Sequence, residues 1–422
     1  MIRKLYFIGA GSTALLKVPT TFGQNEELKK IIWGSNDNLE IDNSDFSVGL
    51  LRKLSKNFFT KSSFDINQVY NLIDSHLKEN KCLSFGCDES LDLNELRVCR
   101  NTMIFIVFKL FYDSIKEHYK EEKIQAFYEK LARTSLDKKL KEYNKKNAKK
   151  RDFIFTDYAI INLNWDLYSI LPMLQAHQKI NNENGYYLSE ANNAKLKIFN
   201  DFGMYMACNT RDNQDIWYPY NESVATRVNN PEYKCNRVVT LTRAYFPHGL
   251  MNLYQCKFCK KHVLNIGDLK YDSLLQKENI FQNKKIMTCP FCKNDIKEFD
   301  VDFLNQTNYK IISPYLQEIR YEMNLALQEA KEAIFIGYSL PIDDIDYNTI
   351  FSCYLKKDGL KVKVVLYDKS WVNNEFKTIN INSCNLSDDN KQIVKRYQQL
   401  FGEEVLFNFI GSPYCFKNND LY

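Results

Sequence analysis

Leu5-Tyr6-Phe7-Ile8-Gly9-Ala10-Gly11-Ser12-Thr13 decides the fold. A short apolar run that halts at a Gly-x-Gly reads as a buried parallel strand feeding a tight turn. The same grammar returns near the other end, where Ala333-Ile334-Phe335-Ile336 runs into Gly337-Tyr338-Ser339-Leu340-Pro341. Between them, Tyr158-Ala159-Ile160-Ile161-Asn162-Leu163 is a third such run, ending in Asn164-Trp165-Asp166. Val362 to Asp368 is a fourth, closed by an acid. Helical patterns separate these runs. Asp65 caps one over 65–80, two or three long helices fill 94–150, and Ser313-Pro314 opens another that runs to about Glu332. Strands alternating with helices predict an α/β fold: a Rossmann-like, mainly parallel sheet with helices on both faces.

The composition suits such a fold. The chain has 422 residues, 45% hydrophobic and 26% charged, and a mean hydropathy of -0.43. That is too apolar for a disordered chain, and no apolar run approaches the roughly 18–20 residues of a membrane span. Lys and Arg number 57 against 52 Asp and Glu, a net charge of +5. This is too mild to imply a nucleic acid or an anionic membrane. The basic run from Lys138 to Arg151 is interrupted by Glu142 and Asn144 and lacks an aromatic platform. It reads as a solvated helix end rather than a nucleic-acid contact. Met1-Ile2-Arg3-Lys4 leads into too short an apolar run for an export signal, so a reducing cytoplasm is expected.

Four of the twelve cysteines form two C-x-x-C pairs, Cys256/Cys259 and Cys289/Cys292. Four thiolates so spaced suit tetrahedral zinc. With every position filled by sulfur the Zn2+ is structural. Redox or merely buried cysteines are the other reading. Residues 178–236 are polar with little periodicity and read as a loop insertion.

Four further features bear on chemistry. A Gly-x-Gly turn lets backbone N–H groups approach a pyrophosphate, although a turn that binds nothing has the same sequence. Asn164 and Asp166 end a strand, where ligands bind in open α/β sheets; a loop-capping Asx turn is the alternative. His248, in Phe246-Pro247-His248-Gly249, is either a base or a structural imidazole. Asp368, also at a strand end, is a candidate for an adenosine ribose by position alone.

The order of these features resembles the sirtuin family. Gly9-Ala10-Gly11-Ser12-Thr13 matches the family's nucleotide loop, and Val18-Pro19 falls where its Ile-Pro stands. Asn164 and Asp166 match the N-x-D that grips the nicotinamide ribose. His248 matches the catalytic histidine, and Cys256, Cys259, Cys289 and Cys292 match the zinc ligands. Gly337-Tyr338-Ser339-Leu340 matches the second nucleotide loop. The resemblance therefore implies a core over 1–250 with a helical insertion at about 35–150 and the loop insertion at about 178–236. A zinc module over 251–300 and the rest of the core over 301–422 would follow. Lysine-deacylating sirtuins carry Asp-Phe-Arg after the Ile-Pro; here Thr20-Thr21-Phe22 follows. The segment Ile311 to Leu316, a long helix, and Phe335 to Pro341 with Asp344 or Asp346 beyond look like bacterial sirtuin-like proteins of anti-phage defence.

In that branch the characteristic activity is hydrolysis of NAD+ to ADP-ribose and nicotinamide. Members act with a HerA-type ATPase, an Argonaute or another sensor, and often as oligomers. The implied activity is thus an NAD+ hydrolase, a homo-oligomer gated by a defence-system partner. A protein lysine deacylase and a non-catalytic NAD or ADP-ribose sensor are the alternatives.

Overall fold

A computed structural model describes residues 2–12, 21–34, 46–86, 89–118, 122–143, 155–164, 171–183, 185–189, 194–202, 206–209, 214–217, 237–250, 253–256, 258–265, 287–289, 291–296, 314–342, 344–373, 375–411 and 421. In chain order the strands are β1 (Lys4–Ile8), β2 (Leu83–Ser84), β3 (Ser90–Leu91), β4 (Phe155–Asn162), β5 (Tyr187–Ser189), β6 (Ala194–Asp201), β7 (Met206–Asn209) and β8 (Gln214–Trp217). Then come β9 (Arg237–Tyr245), β10 (Leu253–Gln255), β11 (His262–Asn265), β12 (Met287–Thr288), β13 (Asp295–Ile296), β14 (Glu332–Ile336), β15 (Lys361–Tyr367) and β16 (Leu406–Ile410). The helices are α1 (Thr21–Trp33), α2 (Val48–Phe58), α3 (Ile66–Glu79), α4 (Leu93–His118), α5 (Glu122–Tyr143), α6 (Leu171–Asn182), α7 (Pro314–Glu329), α8 (Ile345–Tyr354) and α9 (Asp388–Phe401).

The main sheet has eight strands in the order β16-β15-β14-β1-β4-β9-β6-β5. All neighbours are parallel except the edge strand β5. Leu5, Tyr6, Phe7 and Ile8 of β1 are fully buried at its centre. A run with no polar interruption can be satisfied only there, between two strands and under cover on both faces. From β1 the chain passes to β4, runs out to β5 and β6 at the edge, turns back to place β9 between β4 and β6, and then lays β14, β15 and β16 on the other side of β1. The strand order therefore reverses between β1 and β14.

Helices cover both faces, as expected. Leu196 and Ile198 of β6 pack with Ala132 and Leu136 of α5 and Ile180 of α6. On the opposite face, Arg243 of β9 approaches Glu322 of α7 at 3.7 Å. The Asp65 cap is found: its carboxylate accepts from the Asn67 and Gln68 amides, and Asn80 ends α3 with φ of 53°. The basic run is partly a helix end, though not wholly the solvated one expected, since Lys139 is buried. Lys138 lies on α5 and pairs with Asp157 at 2.7 Å; residues 144–151 lie outside the described residues. Among the described residues no helix is long and apolar enough to cross a membrane.

The reading of 178–236 as an irregular insertion needs correction. β6 lies in the main sheet, parallel to β9 over seven residue pairs from Lys195↔Arg237 to Asp201↔Arg243. β7 and β8 complete a second sheet, β10-β11-β7-β8, beside Cys256 and Cys259, while Cys289 and Cys292 lie between the strands of the separate hairpin β12-β13. Lys195 and Lys197 alternate with Leu196 and Ile198, the period of a strand covered on one face. The polar residues on either side mask that signal.

Under α6, His177 is 2% exposed. Burial pushes its imidazole down to about 3, with Asn200 opposing, so it is neutral at physiological pH. Between that value and the ordinary 6.5, the unfolded chain binds the extra proton. Stability therefore falls as pH falls through this window. The expected contribution is on the order of 4 kcal/mol by pH 3. Melting curves of wild type and His177→Gln from pH 7 to 4 should diverge, the variant showing the flatter slope. Parallel slopes would count against a neutral buried His177.

Candidate functional site at the carboxyl edge of the sheet

The two glycine turns meet at the strand-order reversal. Ile8 of β1 pairs with Ile336 of β14, so Gly9 and Gly337 both lie one residue past that pair. The Gly11 N–H donates to the Gly337 carbonyl at 2.7 Å, and the Gly9 N–H to that of Ile336 at 2.9 Å. A Cβ on Gly9 would stand 2.5 Å from Tyr338 Cα, and one on Gly337 2.1 Å from the Ser12 nitrogen. Gly337 also has φ of 63°. These glycines let two backbones dovetail.

The donors are spent accordingly. The Ser12 N–H goes to the Gly9 carbonyl at 2.9 Å and the Gly337 N–H to that of Val365 at 2.9 Å. The amides of Gly9, Gly11, Ser12 and Gly337 therefore lock the turns together. They are not a free cradle for a pyrophosphate, as the sequence suggested. What remains is the Ser12 hydroxyl, which is buried with no hydrogen-bond partner. Ala10 is exposed beside it, and Ser339 is half-buried after the second turn. Tyr338 faces the core instead. Its hydroxyl donates to Asp344 at 2.5 Å, and its carbonyl accepts from Tyr397 at 2.9 Å. Thr13, Pro19 and Asp166 lie outside the described residues.

A Gly337→Ala exchange should be severe, because both the φ and the Ser12 backbone forbid a methyl group. Gly359 has φ of 76° but nothing within 4 Å. Gly359→Ala is expected to cost about 1 kcal/mol and Gly337→Ala more than about 3 kcal/mol. Thermal melts of the two variants check this; equal losses would refute the dovetail.

On the other flank, β4 and β9 are parallel neighbours with Ile161 opposite Tyr245. Asn164 and His248 each lie three residues beyond that pair, so both stand at the same edge as the glycine turns. The Asx turn belongs to Asn162, whose Oδ1 accepts from the Asn164 N–H at 3.0 Å. This leaves the Asn164 carboxamide for other work. Asn164 is 6% exposed, and its Nδ2 is buried with no hydrogen-bond partner. An unmatched buried donor is costly, roughly 1–3 kcal/mol, unless a ligand or water meets it. His248 is 3% exposed, in a turn closed by the Gly249 N–H on the Phe246 carbonyl at 2.9 Å.

Asp368 stands at the end of β15, at the same edge, yet its oxygens are engaged within the protein. Oδ1 accepts from the Ser370 amide and hydroxyl. Oδ2 accepts from the Ser387 amide and hydroxyl at 3.1 Å each and from Asn390 Nδ2 at 2.8 Å. Burial would raise its pKa, but these donors outweigh burial and hold the carboxyl below the usual range. Asp368 ties the end of β15 to the start of α9, and a ribose would have to displace those bonds.

The four cysteines converge as the spacing predicts. Their Sγ atoms all lie within 4.8 Å of one another, with Cys256 to Cys292 at 3.5 Å and Cys259 to Cys289 at 3.7 Å. A tetrahedron of Zn–S bonds requires S···S spacings of about 3.8 Å. The two pairs sit in matching turns. The Lys260 N–H donates to the Cys256 carbonyl at 2.8 Å and the Lys293 N–H to that of Cys289 at 2.9 Å, with φ of 59° and 63° at the two lysines. The cluster fits a metal ion such as zinc. Set beside known proteins, the chain is matched by no family model and by no curated protein.

Proposed function

We propose that the chain is an NAD+ hydrolase of sirtuin-like kind, cleaving the nicotinamide–ribose bond to give ADP-ribose and nicotinamide. One observation carries this reading. With β5 and β6 set aside as an addition at one edge, strands β9-β4-β1-β14-β15-β16 follow the order 3-2-1-4-5-6 of dinucleotide-binding sheets, and the glycine turns, Asn164 and His248 all stand at the carboxyl edge of that sheet. In this order the ligand lies across the reversal, here between β1 and β14.

The mechanism follows from these groups. The Ser12 hydroxyl donates to the pyrophosphate or its ribose, with Ala10 and Ser339 beside it. Breaking the bond to ribose C1′ gives an oxocarbenium-like transition state. Asn164 Nδ2 donates to a ribose hydroxyl or to the attacking water. Asp166, two residues on, stabilises positive charge developing at C1′. His248 accepts the proton from that hydroxyl or water. Cys256, Cys259, Cys289 and Cys292 would hold Zn2+ as a structural brace, with all four ligands supplied by thiolates.

The resemblance extends the proposal to a cytoplasmic, homo-oligomeric effector of anti-phage defence. A HerA-type ATPase or another sensor would gate it, with neither membrane nor nucleic acid bound directly. Incubation of purified protein with NAD+ alone should release nicotinamide and ADP-ribose in equal amounts. Release only when an acyl-peptide is added would favour deacylation, and binding without turnover in every assembly state would favour a sensor.

A further inference from the structure

His248 is braced from one side. Its ring packs on that of Tyr347, with centroids 4.8 Å apart and planes at 42°. Tyr347 lies in the first turn of α8, fully buried, and Phe351 meets its ring at 6.0 Å. From α7, the Arg320 guanidinium carbon lies 5.7 Å from the Tyr347 ring centroid. Arg320 Nη1 is 3.7 Å from Asp346 Oδ2. The Arg320 side chain is only 14% exposed, and its Nε and Nη2 are buried without a hydrogen-bond partner. Leaving guanidinium donors unmatched is expensive. The ring face it approaches gives a partial return as a desolvated cation–π contact. Burial keeps the Tyr347 phenol protonated, its pKa raised despite the nearby guanidinium. Three elements thus converge: the turn after β9 brings the imidazole, α8 the phenol and α7 the cation.

An imidazole that must take a proton along one direction loses rate if it can tilt. Misplacement by about 1 Å can cost on the order of a hundredfold. We propose that Tyr347 is a positioning residue for His248: its ring, held by Arg320 and Phe351, fixes the plane of the imidazole and covers one of its faces. This rests on the reading of His248 as the base. It adds a residue whose role no local motif announces, since α8 begins almost a hundred residues after the histidine.

The test pairs Tyr347→Phe, which keeps the ring, with Tyr347→Leu, which fills space without one. Two readouts are taken: kcat and KM for NAD+, and the rate at which diethyl pyrocarbonate modifies His248, followed by peptide mass spectrometry. Tyr347→Phe should keep kcat within about threefold and leave His248 protected. Tyr347→Leu should lower kcat about 10- to 100-fold with KM changed less than about twofold, and speed the modification about tenfold. Where Tyr347→Leu does not fold, Arg320→Gln serves; it keeps the ring, loosens its hold and should speed modification about threefold. An active wild type whose kcat and modification rate ignore these changes overturns the positioning role. A wild type inactive in every assembly state, with the expected modification pattern, overturns the hydrolase reading and leaves the packing role of Tyr347 standing.

Discussion

His248→Ala is expected to release nicotinamide from NAD+ about 10²- to 10⁴-fold more slowly than wild type, the usual worth of a general base. The fold should survive. The turn that carries His248 is closed through backbone, from the Gly249 N–H to the Phe246 carbonyl. Phe246 and Leu250, both fully buried, anchor it to the core. Losing the imidazole leaves a small void against Tyr347 and costs about 1–2 kcal/mol. A melting point a few degrees lower beside near-complete loss of turnover would therefore separate chemistry from folding. Asn164→Ala gives a second handle. Its unmatched Nδ2 is a cost to the unliganded fold, and relieving that cost offsets the packing lost with the side chain, so its removal should be near neutral for stability and damaging for rate. If wild type and His248→Ala release nicotinamide equally fast, the imidazole is not the base.

The parts of the site that were legible in the sequence share one property: their cause is local. Leu5 to Ile8 and Ala333 to Ile336 announce buried parallel strands because each is uniformly apolar and halts at glycine. Asp65 announces a helix because its own carboxylate satisfies the first amides. Two C-x-x-C pairs announce a four-sulfur cluster that fits a metal because each turn is complete within six residues, from Cys256 to Lys261 and from Cys289 to Asn294. The parts that were not legible depend on distant partners. Asp368 reads as a free acid at a strand end until Ser387 and Asn390 arrive from the start of α9. Gly9 and Gly337 read as openings for phosphate, whereas each is needed to admit the other's backbone. Asn162 takes the capping task that had been weighed for Asn164. Tyr347 carries no motif at all. β6 is the exception; Lys195 to Ile198 alternate in plain view, and the polar residues around them hid a strand of the main sheet.

Removing the metal should have the largest effect on stability. The strands of the module are too short to hold themselves: β12 and β13 have two residues each and β10 has three, below what an isolated hairpin needs. Zinc bound to four thiolates supplies apparent free energy of about 10–16 kcal/mol at pH 7 in small modules, and there it is folding free energy. Without the ion, four sulfurs stay crowded, and Cys256 and Cys289 are fully buried; as thiolates they would repel one another. The purified protein is therefore expected to carry close to one zinc per chain, measured by elemental mass spectrometry. A strong chelator, or Cys289→Ser, should expose residues 251–300 to protease while the far-UV spectrum of the main sheet changes little. The damage should then travel. The Leu253 N–H at the start of β10 donates to the Leu250 carbonyl at 3.2 Å, two residues beyond His248, and Leu253 sits in the same core as Phe246 and Tyr347. Loosening β10 frees the turn that holds the imidazole, so under the proposed hydrolase reading nicotinamide release should fall when the metal is removed. Metal-free protein that melts, resists protease and turns over NAD+ as the holo form does would make the cysteine cluster incidental. It would also cut the link between the brace and the base.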